Sequence, residues 1–347
     1  MRTYAMVGLL WIGSLPIGVL PARAEVGGGD SPRYCTEKVA ITRDLTQTDR
    51  RARLPDGGAN CCGPVAISNS MFALAALGYP RLVPGLPCED EAHRAVARTL
   101  AGDGYTAAGS RRGTNVSRMI RGANRYVTEQ GYSARFEFQG WRAVGAEHRR
   151  GQYPDPQWIA DRLPGPRAAW FNIGWYRYDE ETDTYHRGGG HWVTAVGYGI
   201  DARGRLDPNI LIIYDPSPRS GYRRRADYVR WHRLDSGRLA GPDWVPRQPG
   251  LARGLLRLGG GLEINRRRGD TALLDGVLVM TLDPPGDGAR RSAPSFDGAA
   301  LHVGRPLGHD RFIRDWRRNG DSLPRMEVWK MADLAGRDTL VSRLPRE

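Results

Sequence analysis

Cys62, His191 and Asp215 have the side-chain types and settings that nucleophilic catalysis requires, although they lie far apart along the chain. A cysteine attacks as the thiolate, so it needs a neighbour that favours the anion: a helix N-terminus, an imidazolium, or both. Cys62 has the first. It sits in Asn60-Cys61-Cys62-Gly63-Pro64, where a glycine-rich loop runs into an apolar helical stretch, and the dipole and unpaired N–H groups of a helix start stabilise negative charge. Gly63 is expected to leave room for a substrate backbone, and Pro64 removes a donor that the first turn does not use. His191 supplies the second ingredient, within Gly188-Gly189-Gly190-His191-Trp192-Val193-Thr194. Three glycines let a substrate or another loop pass close by, and a strand beginning at His191 would hold the imidazole rigidly while Trp192 faces the other way. Asp215 ends the apolar run Ile210-Leu211-Ile212-Ile213-Tyr214 and precedes Pro216. A carboxylate there can accept the second imidazole N–H and stabilise the imidazolium. Taken singly, each also has a plain reading: packed cysteines, a surface histidine at a strand start, an Asp-Pro strand terminator.

The elements that must position these groups change character along the chain. Val65, Phe72, Ala73, Ala76 and Leu77 share one helical face, and the opposite face, with Ala66, Ile67, Met71 and Leu74, is apolar too, as in a buried helix. Gly78 and Pro80 end it. A second helix is expected over Glu89 to Leu100, opening on three acids. A third starts near Thr114 as its cap and ends at Gly131, and a shorter one spans Asp155 to Leu163. From there Ala168 to Trp175, His191 to Gly199, Asn209 to Asp215 and Gly276 to Leu282 carry strand chemistry, aromatic and β-branched. Helices first and strands second indicate an α+β fold with a segregated sheet. Trp170, Trp175, Tyr176 and Trp192 read as core more readily than as a cleft lining.

With 347 residues, 40% of them hydrophobic, the chain can bury a substantial core. Its net charge is +13, and all but Lys38 and Lys330 of its 51 basic side chains are arginines, a one-sided usage that reads as compositional bias. No zinc-finger spacing, aromatic RNA-binding strand or basic helical stripe accompanies that charge, so dedicated nucleic-acid binding is not expected. The Arg-rich runs Arg223-Arg224-Arg225 and Arg266-Arg267-Arg268 read as solvated faces, with contact to an anionic surface as the alternative. Met1 to Ala24 combines Arg2, an apolar run and Ala22-Arg23-Ala24, the pattern of a cleaved export signal, so the mature chain is expected to be secreted or periplasmic, with no membrane span. Export permits disulfides, and one bridge among Cys35, Cys61 and Cys88 is the simplest expectation. The cysteines are too clustered and too poorly spaced for a zinc site. The chain divides into a signal (1–24), a polar leader (25–53), a main domain (54–283, its 217–275 part Arg- and Gly-rich and weakly assigned) and a C-terminal extension (284–347).

The three motifs together resemble the papain-like cysteine peptidases, most closely the bacterial C39-like group. Cys62-Gly63-Pro64 heads an apolar helix, the Gly-His-Trp-Val strand follows 129 residues later, and Tyr214-Asp215-Pro216 stands another 24 on. Gly113-Thr114 before an intermediate helix fits as well. The resemblance covers Leu54 to Pro216 and implies a papain-like fold, with the nucleophile's helix packed on a mainly antiparallel sheet. It implies hydrolysis of a peptide or related amide bond in a peptide or protein substrate, without metal or cofactor. Such families place a glutamine six residues before the nucleophile as an oxyanion donor; this chain has Asp56 there, and an ionised carboxylate would repel the oxyanion. Asn60 is the substitute donor, with Gln47 a more remote one. Two alternatives stay open: acyl transfer or crosslinking by the same triad, and a non-catalytic secreted binder that keeps the fold.

Overall fold

The computed structural model describes residues 34–109, 113–217, 226–241 and 250–284. The signal segment 1–24, Arg223-Arg224-Arg225 and all but the first residue of the 284–347 extension lie outside these. The architecture is α+β, with a large mixed sheet and few helices.

In chain order the elements are α1 (Cys62–Ala76), α2 (Glu89–Ala101), α3 (Val116–Glu129), β1 (Ala134–Gly140), β2 (Arg149–Gly151), α4 (Pro156–Arg162), β3 (Arg167–Asp179), β4 (Thr184–Ile200), β5 (Leu206–Tyr214), β6 (Asp227–Arg233), β7 (Arg238–Ala240), β8 (Leu256–Gly259) and β9 (Thr271–Leu282). The acids Glu89, Asp90 and Glu91 do occupy the first turn of α2. The cap of α3 is Asn115, one residue later than expected: its side chain accepts the Arg118 N–H at 2.9 Å, and Thr114 is left for another use. Asp155 caps α4 through the Trp158 N–H.

The strands follow the order β2-β1-β9-β3-β4-β5-β6-β8, and β8 also pairs with the start of β9. Six strands, β9, β3, β4, β5, β6 and β8, therefore close on themselves. All pairings are antiparallel except β1 with β2 and β4 with β7. The faces inside this ring supply one core: Phe171, Ile173 and Trp175 of β3, Val193 and Ala195 of β4, Leu211 and Ile213 of β5, Val229, Leu258, Leu274 and Val277, with Ile159 of α4 and Leu163 just after it packed among them. The outward faces of β3, β4 and β9, through Trp170, Trp192, Leu278 and Met280, form a second core with α1, α2, α3 and β1. Each fully buried aliphatic side chain stabilises by about 1.5–3 kcal/mol.

Helix α1 lies between the other helices and the sheet, with every residue from Gly63 to Leu74 buried, as its two apolar faces require. Its register is pinned by one carbonyl: Trp170 Nε1 and Thr194 Oγ1 both donate to Ala66 O, at 3.0 and 2.9 Å. The described part of the polar leader packs on the same body. Cys35 pairs its backbone with Tyr198, Leu45 and Ala52 join a small core with Cys61 and Val65, and Leu45 N donates to Asn69 Oδ1 of α1.

The expected disulfide is not formed. Cys35 and Cys61 are buried free thiols on different elements, and Cys88 is free and exposed just before α2. Cys61 points into the small core with its Sγ 3.7 Å from Pro55 O. Among the described residues no helix is long and apolar enough to cross a membrane.

Candidate active site

The outer edge of β4 has a gap. Strand β7 pairs with it only at Thr184 to His186, and β5 ends where Tyr214 pairs with Thr194. Between them, at Arg187 to Val193, neither strand covers that edge. The start of α1 reaches β4 here: the backbone N–H groups of Trp192 and Gly63 lie near enough to the Cys62 sulfur to favour its thiolate.

His191 lies in the middle of β4, seven residues after its start at Thr184, and not at a strand beginning as expected. It pairs with Ile173, so its side chain is on the face turned inside the ring, while Trp192 is on the outer face. The imidazole is almost wholly buried and lies against Trp175, with ring centroids 6.0 Å apart and planes 23° from parallel. Nε2 is 2.5 Å from Asp215 Oδ1, which leaves Nδ1 to face the sulfur. Each of His191 and Cys62 stabilises the charged form of the other. Asp215 follows the last residue of β5, is buried, and its Oδ1 also accepts the Ser217 N–H at 2.8 Å. The structure therefore brings all three sequence-derived residues together, His191 bonded to Asp215 and coupled electrostatically to Cys62.

The electrostatics match this arrangement. Burial alone would push the Cys62 thiol up, but the hydrogen bond and charge of His191 and the N–H groups of Trp192 and Gly63 outweigh it, and the thiol stands below its ordinary 9.0. For His191, burial opposes the cation, while the charge and hydrogen bond of Asp215, followed by those of Cys62, raise it from 6.5 to about 9. Both shifts favour thiolate beside imidazolium. Cys61 goes the other way. Desolvation, then the charges of Cys62 and Asp56, push it up to about 12, which leaves Cys62 as the reactive one of the pair.

Gly63 serves a different purpose from the one expected. A Cβ on Gly63 would come within 3.0–3.1 Å of Met119 Sδ and of Thr114 Cβ and Oγ1, so its missing side chain lets α3 approach α1 and gives no room to a substrate. Thr114 O in turn accepts the Trp192 Nε1–H at 2.7 Å. On β4, a Cβ at Gly188 would overlap the Arg268 carbonyl and one at Gly190 would overlap the Arg187 guanidinium. The glycine triplet admits the protein's own loop and side chain.

The loop before the nucleophile is shaped by left-handed backbone. Asp56 and Gly57 have φ of 50° and 60°, and Gly58 has φ of 86°. Asp56 is exposed. Gln47, which the sequence offered only as a remote oxyanion donor, braces this loop: its buried side chain donates from Nε2 to Gly58 O (2.8 Å) and Ala59 O (3.3 Å), and its backbone N donates to Pro216 O (2.8 Å). It ties the nucleophile's loop to the segment carrying Asp215, with its amide N–H groups already engaged. Asn60 is half-buried in the turn before α1. Of the first-turn N–H groups of α1, Pro64 has none, Val65 bonds to Cys61 O and Gly63 faces the sulfur. That of Cys62 itself has no acceptor within the helix.

Sequence reasoning missed the Trp192 N–H, and it named Trp175 and Gln47 without the roles they take here, the ring against the imidazole and the brace of the loop. The first two depend on β4 and β3 being paired in this register. Among the described residues no group of three or more His, Cys, Asp or Glu side chains is gathered as a metal-binding cluster. No protein-family model matches the chain, and no curated protein matches it significantly.

Proposed function

We propose that the chain is a cysteine hydrolase of peptide-type amide bonds, with Cys62 as nucleophile, His191 as general base and acid, and Asp215 as the group that orients the imidazole. The observation that carries this reading is the run Cys62–His191–Asp215 at the start of a buried helix, with Cys62 and His191 both biased toward the thiolate–imidazolium pair. The motifs and their order support a papain-like enzyme of the C39-like kind. The closed strand ring packed on a nucleophile-bearing helix is compatible with that fold.

In the proposed reaction Cys62 Sγ attacks the carbonyl carbon, the C–N bond opens, and Nδ1–H of His191 gives its proton to the leaving amine. His191 then takes a proton from water, whose oxygen displaces the sulfur from the acyl carbon. The Cys62 N–H and the Asn60 side-chain amide hold the oxyanion at each stage, and loss of the Asn60 donor alone is worth about 10²–10³ in kcat. On this reading Met1 to Ala24 is an export signal and the enzyme acts outside the cytoplasm on peptide or protein substrates.

Digestion of a peptide library by the wild type and by Cys62→Ala tests it. Cleavage by the wild type, absent in the variant and suppressed by iodoacetamide, is the expected result. Equal cleavage by both forms would remove Cys62 from the chemistry.

A further inference from the structure

Resting on that reading, we infer that Arg268 forms a subsite for a carboxylate next to the scissile bond, so that the preferred substrates are acidic. Gly189 and His191 are both on the inner face of β4, two residues apart, which is about 7 Å along a strand. A Cβ on Gly189 would lie 2.7 Å from Arg268 Cδ and from one of its guanidinium nitrogens. The guanidinium therefore occupies the position next to the catalytic imidazole on that face. Strand β4 is built to receive it: the Arg268 backbone seats where any side chain at Gly188 would overlap it, and the loop is held by Arg268 N and Gly269 N on Asn265 O and by Asp270 N on Tyr176 O.

Two arginines flank this part of the strand, with opposite fates. Arg187, on the outer face, is buried and spends its charge on Asp275, Nε to Oδ2 at 2.8 Å. Arg266, Arg267 and Arg268 are exposed and make no ion pair among the described residues. Neither acid of the loop, Glu263 or Asp270, forms an ion pair with them; Asp270 Oδ1 accepts from Thr271 Oγ1 (2.9 Å) and the Tyr178 N–H (3.4 Å). Gly190, between the two positions in sequence, is itself exposed and turned to Arg187 on the other face. A guanidinium is suited to a carboxylate by its planar, two-pronged donor geometry.

The test uses two alkylating probes that differ only in charge: the N-iodoacetyl derivatives of glutamate α-amide and glutamine α-amide. Each forms an S–C bond as iodide leaves, and mass mapping reports the rate at Cys62 separately from exposed Cys88. The glutamate probe should modify Cys62 about 5- to 10-fold faster at low salt. Arg268→Gln should bring the two rates together, as should roughly 0.5 M salt. Iodoacetamide, run alongside, reads the sulfur itself. Normal iodoacetamide reactivity with equal probe rates, or a preference retained in Arg268→Gln, overturns the subsite alone. A Cys62 inert to iodoacetamide overturns the nucleophile, and the subsite with it.

Discussion

At the scale of single residues, the reactivity of Cys62 rests on a proton that His191 keeps up to about pH 9. The imidazole holds it above its ordinary 6.5, so this group's contribution to stability is complete below about 6.5 and is lost as pH rises through about 9. The thiol lies below 9.0, so its contribution is complete above 9.0 and is lost as pH falls through the lowered value. Between these limits the ion pair prevails. The rate of Cys62 alkylation by iodoacetamide should therefore level off below pH 9. Asp215→Asn removes the charge that holds the imidazolium. The thiol then returns toward its ordinary value, and the rate near pH 6.5 falls by about tenfold for each unit regained. Superimposable pH curves for wild type and variant would show that Asp215 does not act on the pair.

At the scale of elements, the loop and helix that carry the sulfur are set by close backbone approaches. Gly58 is the tightest: its φ is 86°, and a Cβ there would overlap the Gln47 carbonyl. Gly58→Ala should cost about 2–5 kcal/mol from left-handed strain and overlap. It should also slow alkylation of Cys62, because Gln47 joins this loop to Pro216. Thermal unfolding and iodoacetamide kinetics on the same sample check both. An unchanged midpoint would mean that the loop rearranges freely. The four helices and the four longest strands were legible in the sequence because each carries its own period or cap. The nucleophile's helix was recognised from Pro64 at its start and apolar residues on two sides. The short strands β2, β7 and β8 were not seen, nor were β1 and β6. Three or four residues such as Arg149–Gly151 carry no readable period, and those strands exist because their partners do. For the same reason the triad was legible while the Trp192 N–H was not: side-chain chemistry is written in the sequence, but a free donor appears only once neighbouring strands end where they do. Gly63 and the triplet at 188–190 were correctly marked as places of close approach, yet three of the approaching groups, Thr114, Met119 and Arg268, come from segments about 50 to 80 residues away.

At the scale of the whole molecule, one carboxylate joins several parts. Asp275 of β9 accepts from Arg187 of β4 (2.8 Å), Tyr176 of β3 (2.6 Å) and Trp141, beyond the end of β1 (3.0 Å). Its side chain has no exposure and that of Arg187 almost none. Removing one partner of a buried pair costs about 3–5 kcal/mol. Asp275→Asn should lower the denaturant midpoint accordingly, with little change in slope, while iodoacetamide reactivity of the still-folded fraction is kept. A loss under 1 kcal/mol would mean that water already reaches the pair.

Closure of the six-strand ring also governs how copies of the chain meet. One end of the strand order is β2, three residues long with two arginines, and a short, charged border of this kind is a poor template for adding a foreign strand. Concentrated solutions should accordingly resist fibril growth seeded along that margin.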